Sequence, residues 1–335
     1  MKIAILDDYQ DAVRELECFS LLDDHDVKVF NNSIRGTGQL VARLTPFDAV
    51  VLIRERTQLN RALLSRLPNL KLISQTGKVS GHVDVAAATE LGIAIAEGIG
   101  SPTAPAELTW ALIMAASRKI VPYAANLKAG VWQTVSTNQP FNTLGMVLRG
   151  RTLGIWSYGK IGKLIAGYGR AFGMEVLVWG GEASRAAAVA DGYRAAPSKE
   201  ALFQEADVLT LHLRLADATR GIVTASDLER MKPDALFVNT SRAELVEDGA
   251  LESALRGGRP GSAALDVFPS EPLPEDSPLL RMPQVLATPH LGYVEKDSYE
   301  LYFRHAFQNL LDFEAGQCQT ILNPGYRQHV KPANG

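Results

Sequence analysis

The stretch Thr152-Leu-Gly-Ile-Trp156-Ser157-Tyr158-Gly159-Lys160-Ile161-Gly162 decides the fold of this 335-residue chain. Its first five residues predict a buried strand, and an apolar helical pattern begins after Gly159 and continues to Phe172. A second strand pattern follows at 176–179, so the stretch opens a βαβ unit. In that setting a glycine lets the backbone approach a pyrophosphate, and the helix N-terminus offers unpaired N–H groups. Residues 158–162 are therefore predicted to bind a dinucleotide.

Two positions depart from the glycine-rich pattern of such sites. Ser157 stands where the first glycine is expected, so a residue with a side chain must make the tight turn. The acid expected after the second strand is replaced by Gly180-Gly181-Glu182. Without that acid, Ser184 or Arg185 could contact the 2′-phosphate of NADP, whereas Glu182 favours NAD. The cofactor is therefore predicted as NAD or NADP, and a plain turn without a nucleotide remains the alternative.

Strand and helix patterns alternate on both sides of this unit. Five apolar runs predict strands in the first hundred residues, at 2–6, 27–30, 49–53, 70–74 and 93–96. Six more are predicted from residue 152 onward, at 152–156, 175–179, 208–211, 235–238, 263–265 and 285–287. Between the two series, residues 102–129 predict one long helix and residues 131–148 a loop. Continuously apolar strands separated by helices indicate an α/β protein with two parallel sheets. Length alone allows either one domain or two.

The composition excludes several classes of protein. Apolar residues make up 46% of the chain, and the net charge is only −3, without long runs of one sign. Neither nucleic acid nor a membrane is therefore an expected partner. No segment reaches the ~18 apolar residues of a membrane-spanning helix, and the N-terminal apolar run is too short for a secretion signal. Cys18 and Cys318 lie far apart without ligand spacing, so we expect free thiols, no metal site and a cytoplasmic protein.

Three further segments carry residues suited to one reaction. Arg242, Glu271 and His290 each follow a predicted strand of the second series, and parallel strands place such residues at one edge of the sheet. An arginine can bind a substrate carboxylate with paired donors, a histidine can transfer a proton, and a glutamate can orient that histidine. The alternatives are a structural histidine and an arginine that pairs with Glu244 or Glu247.

Together these motifs make the chain resemble the D-isomer-specific 2-hydroxyacid dehydrogenase family over nearly its whole length. The stretches that carry the resemblance are 106–108, 130–132, 153–162, 231–233, 239–246, 265–272 and 288–292. The resemblance implies that Arg242, Glu271 and His290 are the catalytic residues. It also implies a Rossmann-type NAD(P)-binding domain at 102–290, inserted into a discontinuous flavodoxin-like α/β substrate domain at 1–101 and 291–335. Members are usually homodimers, and the dimerisation arm would lie at about 120–148.

The same resemblance extends to further contacts with the cofactor. Asp266 corresponds to a position near the nicotinamide amide, and His212 with Arg214 to the strand end beside the adenosine. The remaining positions expected to contact the cofactor are Gly180, Gly181, Thr240, Ser241 and Gly292.

Substrate-binding residues are expected in the first domain. The resemblance places the substrate carboxylate near backbone N–H groups of Gly77, Lys78 and Val79. Arg54 follows a strand and would suit a phosphate or a second carboxylate, unless it only pairs with Glu55 or Asp48.

The activity implied is that of an oxidoreductase on CH–OH groups, a D-2-hydroxyacid dehydrogenase that uses NAD or NADP. Its substrate would be a small 2-hydroxy or 2-keto acid of the 3-phosphoglycerate, glyoxylate or hydroxypyruvate type. The alternative is a nucleotide-sensing binding protein that resembles corepressors with this fold.

Overall fold

The structure is a computed structural model that describes residues 1–330 and divides into two compact units. One unit combines residues 1–101 with those from 295 onward, and the other is Pro102–Val294. The second boundary therefore lies at 294/295, whereas the sequence suggested 290/291. The difference arises because the N–H groups of Leu291 and Gly292 donate to the buried carboxylate of Asp266 and so stay with the second unit. Residues 331–335 of the expected substrate domain lie outside the described residues.

The first unit contains a five-stranded parallel sheet in the order β2-β1-β3-β4-β5. This order is that of flavodoxin-like folds, in agreement with the sequence. The strands are β1 (Lys2–Ile5), β2 (Asp26–Val29), β3 (Ala49–Leu52), β4 (Leu72–Gln75) and β5 (Ala94–Ala96). The helices that follow β2, β3 and β4 are α1 (Thr37–Leu44), α2 (Arg61–Leu64) and α3 (Val85–Glu90).

The second unit opens with α4 (Thr103–Ser117) and α5 (Ile120–Lys128), where the sequence predicts one long helix. The helix is interrupted because Lys119 adopts a left-handed conformation, with φ of 53°. The following loop then folds back, and the Met146 N–H donates to the Ser117 carbonyl oxygen at 2.8 Å. This long-range contact gives the end of α4 a partner outside its own helix.

A seven-stranded parallel sheet forms the centre of the second unit. Its elements are β6 (Thr152–Trp156), α6 (Lys160–Ala171), β7 (Glu175–Trp179), α7 (Glu182–Ala190), β8 (Arg194–Ala195), α8 (Lys199–Glu205), β9 (Val208–Leu211), α9 (Ala225–Glu229), β10 (Leu236–Asn239), α10 (Ala250–Arg256), β11 (Ser262–Leu265) and β12 (Val285–Ala287). The strand order β12-β11-β10-β9-β6-β7-β8 is the dinucleotide-binding order of a Rossmann fold with one strand added beyond β11. The sequence missed β8, which is only two residues long.

The register of this sheet aligns the carboxyl ends of its strands. The last residues of six strands are paired in one continuous row, which is Trp179, Trp156, Leu211, Asn239, Leu265 and Ala287. The segments that follow these residues therefore begin at the same edge, where ligands bind in open α/β sheets.

Both faces of the second sheet are buried, which explains its apolar strands. Phe237 belongs to one hydrophobic cluster, whereas its neighbours Leu236 and Val238 belong to another. Because alternate residues of a strand point to opposite faces, both faces need apolar side chains.

The last helix, α11 (Lys296–Glu314), belongs to the first unit, as the sequence suggests. It packs beside β4, and Ser74 Oγ donates to the Ala306 carbonyl oxygen at 2.8 Å. Asn323, beyond the helix, accepts from the Ile95 N–H and donates to the Ile93 carbonyl oxygen. None of the helices within 1–330 combines the length and apolarity needed to cross a membrane.

Candidate active site

The loop between β6 and α6 has the geometry of a pyrophosphate-binding turn. Ser157 makes the tight turn with φ of 84°, in the left-handed region that normally requires glycine. A Cβ at Gly162 would lie 2.3 Å from the Ser157 carbonyl oxygen, so only glycine lets α6 approach the strand this closely. The first hydrogen bond of α6 runs from the Lys163 N–H to the Gly159 carbonyl oxygen. The N–H groups of residues 160–162 therefore have no acceptor within the helix, which suits an anion.

Tyr158 plays a different part from the one its position suggests. Its side chain is buried, and its hydroxyl donates to Asp191 at 2.8 Å. Burial and this hydrogen bond raise the pKa of the Tyr158 hydroxyl. The side chain thus supports the loop from inside the unit, and only its backbone can face a cofactor.

The segment after β9 contains His212 and Arg214. Burial lowers the pKa of His212 to about 3, so the ring is neutral at physiological pH. Its Nε2 lies 3.1 Å from Thr210 Oγ1, whereas its buried Nδ1 has no hydrogen-bond partner among residues 1–330. Arg214 is exposed. A buried ring nitrogen without a partner at this edge is consistent with a polar ligand nearby.

Arg242 follows β10 on a turn that Asn239 holds in place. The buried Asn239 side chain donates to the Arg242 carbonyl oxygen at 2.9 Å and accepts from the Ser241 N–H at 3.0 Å. Ser241 Oγ donates to the Leu211 carbonyl oxygen, and the Thr240 hydroxyl pairs with that of Thr109 at 2.7 Å. The hydroxyls of Thr240 and Ser241, which the sequence predicts to contact the cofactor, thus form hydrogen bonds within the second unit. Sequence reasoning did not single out Asn239, although its place at the strand end was a usable signal.

His290 and Glu271 form a direct pair at the same edge of the sheet. His290 Nδ1 lies 2.7 Å from Glu271 Oε2, and Glu271 Oε1 accepts from the Phe268 N–H at 2.9 Å. His290 has φ of 53°, an uncommon conformation for a residue other than glycine. With Nδ1 bound to a carboxylate, the proton on that nitrogen is fixed and Nε2 is left for chemistry.

Asp266 holds the loop that carries His290. It is fully buried, and its carboxylate accepts from Thr288 Oγ1 at 2.7 Å, the Leu291 N–H at 2.7 Å and the Gly292 N–H at 2.9 Å. Burial raises the pKa of Asp266 above its ordinary value, against the effect of these donors. Asp266 and Gly292 therefore bind each other, and a contact between either residue and the cofactor stays a prediction.

The residues predicted to bind substrate lie on the first unit. Arg54 Nε lies 3.8 Å from Glu55, which is one of the ion pairs that the sequence left open, while Asp48 pairs with Lys71 instead. The Gly77 N–H donates to the Gln75 carbonyl oxygen, and the Val79 N–H donates to Glu97 at 2.8 Å. Neither N–H is therefore directed to a substrate as expected. Glu97 also pairs with the Lys78 ammonium at 2.9 Å.

This leaves the Lys78 N–H, which donates to no acceptor in the described part of the chain. The long-range role of Glu97 could not be read from the sequence, because nothing in its local pattern marks it.

Comparisons with known proteins agree with this geometry. The family model for the D-isomer specific 2-hydroxyacid dehydrogenase NAD-binding domain matches residues 110–292, more than half of the chain. Glyoxylate reductase of Aeropyrum pernix is 39% identical over 264 residues, which cover 78% of each protein. The chain belongs to the D-isomer-specific 2-hydroxyacid dehydrogenase family. As a member, it is an oxidoreductase of CH–OH donors, with a Rossmann domain and NAD(P) as cofactor.

Other members extend the comparison to phosphoglycerate dehydrogenases. D-3-phosphoglycerate dehydrogenase of Methanocaldococcus jannaschii is 33% identical over 87% of this chain, which spans only 53% of that longer protein. A crystal structure of phosphoglycerate oxidoreductase from Vibrio cholerae is 58% identical, with a TM-score of 0.91 over 94% of this chain and 99% of that one. These names do not favour the nucleotide-sensing alternative.

Within residues 1–330, no three or more His, Cys, Asp and Glu side chains form a group that could hold a metal ion.

Proposed function

We propose that Arg242, Glu271 and His290 carry out the reaction of this dehydrogenase on a small 2-keto or 2-hydroxy acid. The observation that carries the proposal is the pair formed by His290 Nδ1 and Glu271 Oε2 at 2.7 Å. The last residues of β10, β11 and β12 are paired with one another, so the segments that carry Arg242, Glu271 and His290 all begin at one edge of the sheet. Structural ion pairs do not require such convergence, whereas a reaction centre does.

Each residue has a distinct task in the proposed reduction. Arg242 binds the substrate carboxylate, because a planar guanidinium can donate two parallel hydrogen bonds to it. A nicotinamide cofactor held at the β6–α6 turn would supply the hydride that the carbonyl carbon accepts. His290 donates a proton from Nε2 to the carbonyl oxygen, so the keto acid gains one hydride and one proton and becomes the hydroxy acid. Glu271 keeps the ring oriented through Nδ1, and oxidation uses the same residues in reverse.

The substrate proposed is glyoxylate, hydroxypyruvate or 3-phosphohydroxypyruvate, in line with the names of the relatives. Arg54 and the Lys78 N–H are the groups of the first unit proposed to bind it. Turnover of these three acids and of pyruvate should be measured with NADH and with NADPH. Turnover of at least one acid supports the proposal, and failure of all four under both cofactors would contradict it.

Replacing Arg242 tests the proposed site directly. Arg242→Ala should lower kcat/KM by about 10²–10³-fold, because a contact made in the transition state is lost. Arg256→Ala removes the same charge from an exposed side chain of α10, which forms an i,i+4 pair with Glu252, and should leave kcat/KM nearly unchanged. Near-normal turnover of a folded Arg242→Ala protein would overturn the assignment.

We further propose a cytoplasmic homodimer. The arm at 120–148 exposes large apolar side chains, with Trp132 74% and Leu144 88% exposed. Such exposure is unusual on a monomer and is typical of a surface covered by a second copy.

Cys18 and Cys318 are both free, and burial raises the pKa of Cys18 to about 12. Free thiols are the rule in a reducing compartment.

A further inference from the structure

The segment after β7 differs from an NAD-type ribose site in a way that residue identity alone does not show. Gly180 has φ of 158°, and a Cβ there would lie 3.1 Å from Ser184 Cβ and 3.6 Å from Ser157 Cα. An acid at this position would need both an unfavourable backbone conformation and a shift of Ser184. Ser184 therefore occupies the space beside Gly180 that the side chain of an acid would need.

Arg185 lies on the same turn of α7 and stacks on an aromatic ring. Its guanidinium carbon lies 4.7 Å from the centre of the Trp179 ring, the last residue of β7. The buried Nε of Arg185 has no hydrogen-bond partner among residues 1–330. Stacking on an aromatic ring restricts the side chain without satisfying its N–H donors. These donors remain available for an anion.

The charge balance near the turn also favours an anion over a bare ribose. Glu182 is the only acid in the first turn of α7, and it is exposed. Solvent and salt screen an exposed carboxylate, so its repulsion of a phosphate is weak. Arg185, by contrast, is partly buried and lies against the Trp179 ring.

We propose that this dehydrogenase prefers NADP(H) to NAD(H), with Arg185 and Ser184 binding the 2′-phosphate of the adenosine ribose. The inference rests on the proposed function and names the cofactor of the same site. A phosphate can accept from the Arg185 guanidinium and from the Ser184 hydroxyl, and Gly180 leaves no carboxylate to repel it. NAD lacks the phosphate and gains nothing from either side chain.

Calorimetric binding of 2′,5′-ADP and 5′-AMP tests the preference without turnover. The unchanged protein should bind 2′,5′-ADP at least about tenfold more tightly, as expected for hydrogen bonds to a charged group. Arg185→Ala should lower the affinity for 2′,5′-ADP by about 10-fold to 100-fold and leave that for 5′-AMP within about twofold. Ser184→Ala should give a smaller loss in the same direction.

Arg194→Ala is the matched control, because it removes the same charge from an exposed residue of β8, which pairs with β7. It should leave the ratio of the two affinities unchanged. Thermal unfolding without ligand shows whether Arg185→Ala only loosens the packing on Trp179. In that case both affinities fall together, and the inference is overturned.

Two results separate this inference from the proposed function. Equal or tighter binding of 5′-AMP by the unchanged protein would refute the NADP(H) preference and leave the dehydrogenase intact. Absence of binding of both nucleotides, and of NADH and NADPH, would contradict the proposed function and the preference with it.

Discussion

At the scale of single residues, the site depends on side chains that hold others in place. Glu271 orients His290, Asp266 holds the loop of His290, and Asn239 holds the turn of Arg242. Each of these supporting side chains forms hydrogen bonds through its polar atoms, so a small change in its shape or charge should displace the side chains that are proposed to react.

Glu271→Gln should lower kcat by about 10²-fold or more, because the amide no longer fixes the proton on His290 Nδ1. The affinity for nucleotide should stay within about twofold of the parent, because the substitution changes the hydrogen bond to the His290 ring and leaves the cofactor site unaltered. Steady-state kinetics and nucleotide titration measure the two effects. Glu275→Gln, on an exposed residue of the same loop, is the control and should behave like the parent. Equal turnover in the Glu271→Gln and Glu275→Gln variants would contradict the proposed role of the Glu271–His290 pair.

Asp266→Asn should lower kcat by about 10-fold to 100-fold while the affinity for nucleotide changes less than about threefold. Three donors converge on the two carboxylate oxygens, and an amide offers only one oxygen to them. The loop must then move, and a displacement of about 1 Å at His290 can cost about 100-fold. The opposite pattern, weak nucleotide binding with kcat preserved, would show that Asp266 acts mainly on the cofactor. Asp276→Asn, in an exposed loop, is the control.

At the scale of the elements, Asp207 joins three parts of the second sheet. Its carboxylate accepts from the Thr152 N–H at 2.7 Å and from Lys232 at 2.9 Å, and Arg151 lies 3.5 Å away. Burial alone would raise the pKa of Asp207, but the hydrogen bonds from Lys232 and Thr152 outweigh it and hold the pKa below its ordinary value. An acid whose pKa is lowered by folding stabilises the folded state above its unfolded pKa, and this contribution is lost as pH falls through the folded pKa.

Asp207→Asn should therefore lower the free energy of unfolding by about 1–3 kcal/mol at pH 7. The difference from the parent should shrink as pH falls below about 4, where Asp is protonated in the unfolded chain. Urea unfolding at several pH values measures this. Asp234→Asn removes an exposed acid beside the same Arg151 and should change stability by less than about 0.5 kcal/mol. A difference that is constant with pH would contradict the role of the charge.

The elements also show what the sequence could predict. Every strand of the two sheets except the short β8 was recognisable, because buried parallel strands have continuous apolar patterns. The nucleotide turn and the three strand-end residues could be recognised as well. The break between α4 and α5 was missed, because it depends on one left-handed residue, Lys119, and on a return contact from Met146. The hydrogen bond from the Val79 N–H to Glu97 was missed for a similar reason, since the two residues are distant in sequence. Local patterns identify elements, whereas long-range hydrogen bonds decide which donors remain for a ligand.

At the scale of the whole molecule, the exposed apolar arm predicts the state of assembly. Leu144→Glu places a charge on the most exposed large apolar side chain in the described residues, at 88% exposure. Burying an unpaired carboxylate in an interface is costly, so the variant should sediment as a monomer where the parent sediments as a dimer. Val189→Glu, on α7 and 57% exposed, is the control and should leave the dimer intact. A parent that is monomeric at micromolar concentration would refute the proposed homodimer.

The discontinuous first unit has a consequence for how the protein is made. Strands β1–β5 leave the ribosome early, but α11 and Asn323, which pack on β4 and bind to β5, are translated only after residue 294. The second unit has all of its residues by that point and can fold during synthesis. Chains that end at residue 294 and have been released from the ribosome should therefore resist protease in the second unit alone. The part of the protein that is synthesised first is the part that completes its folding last.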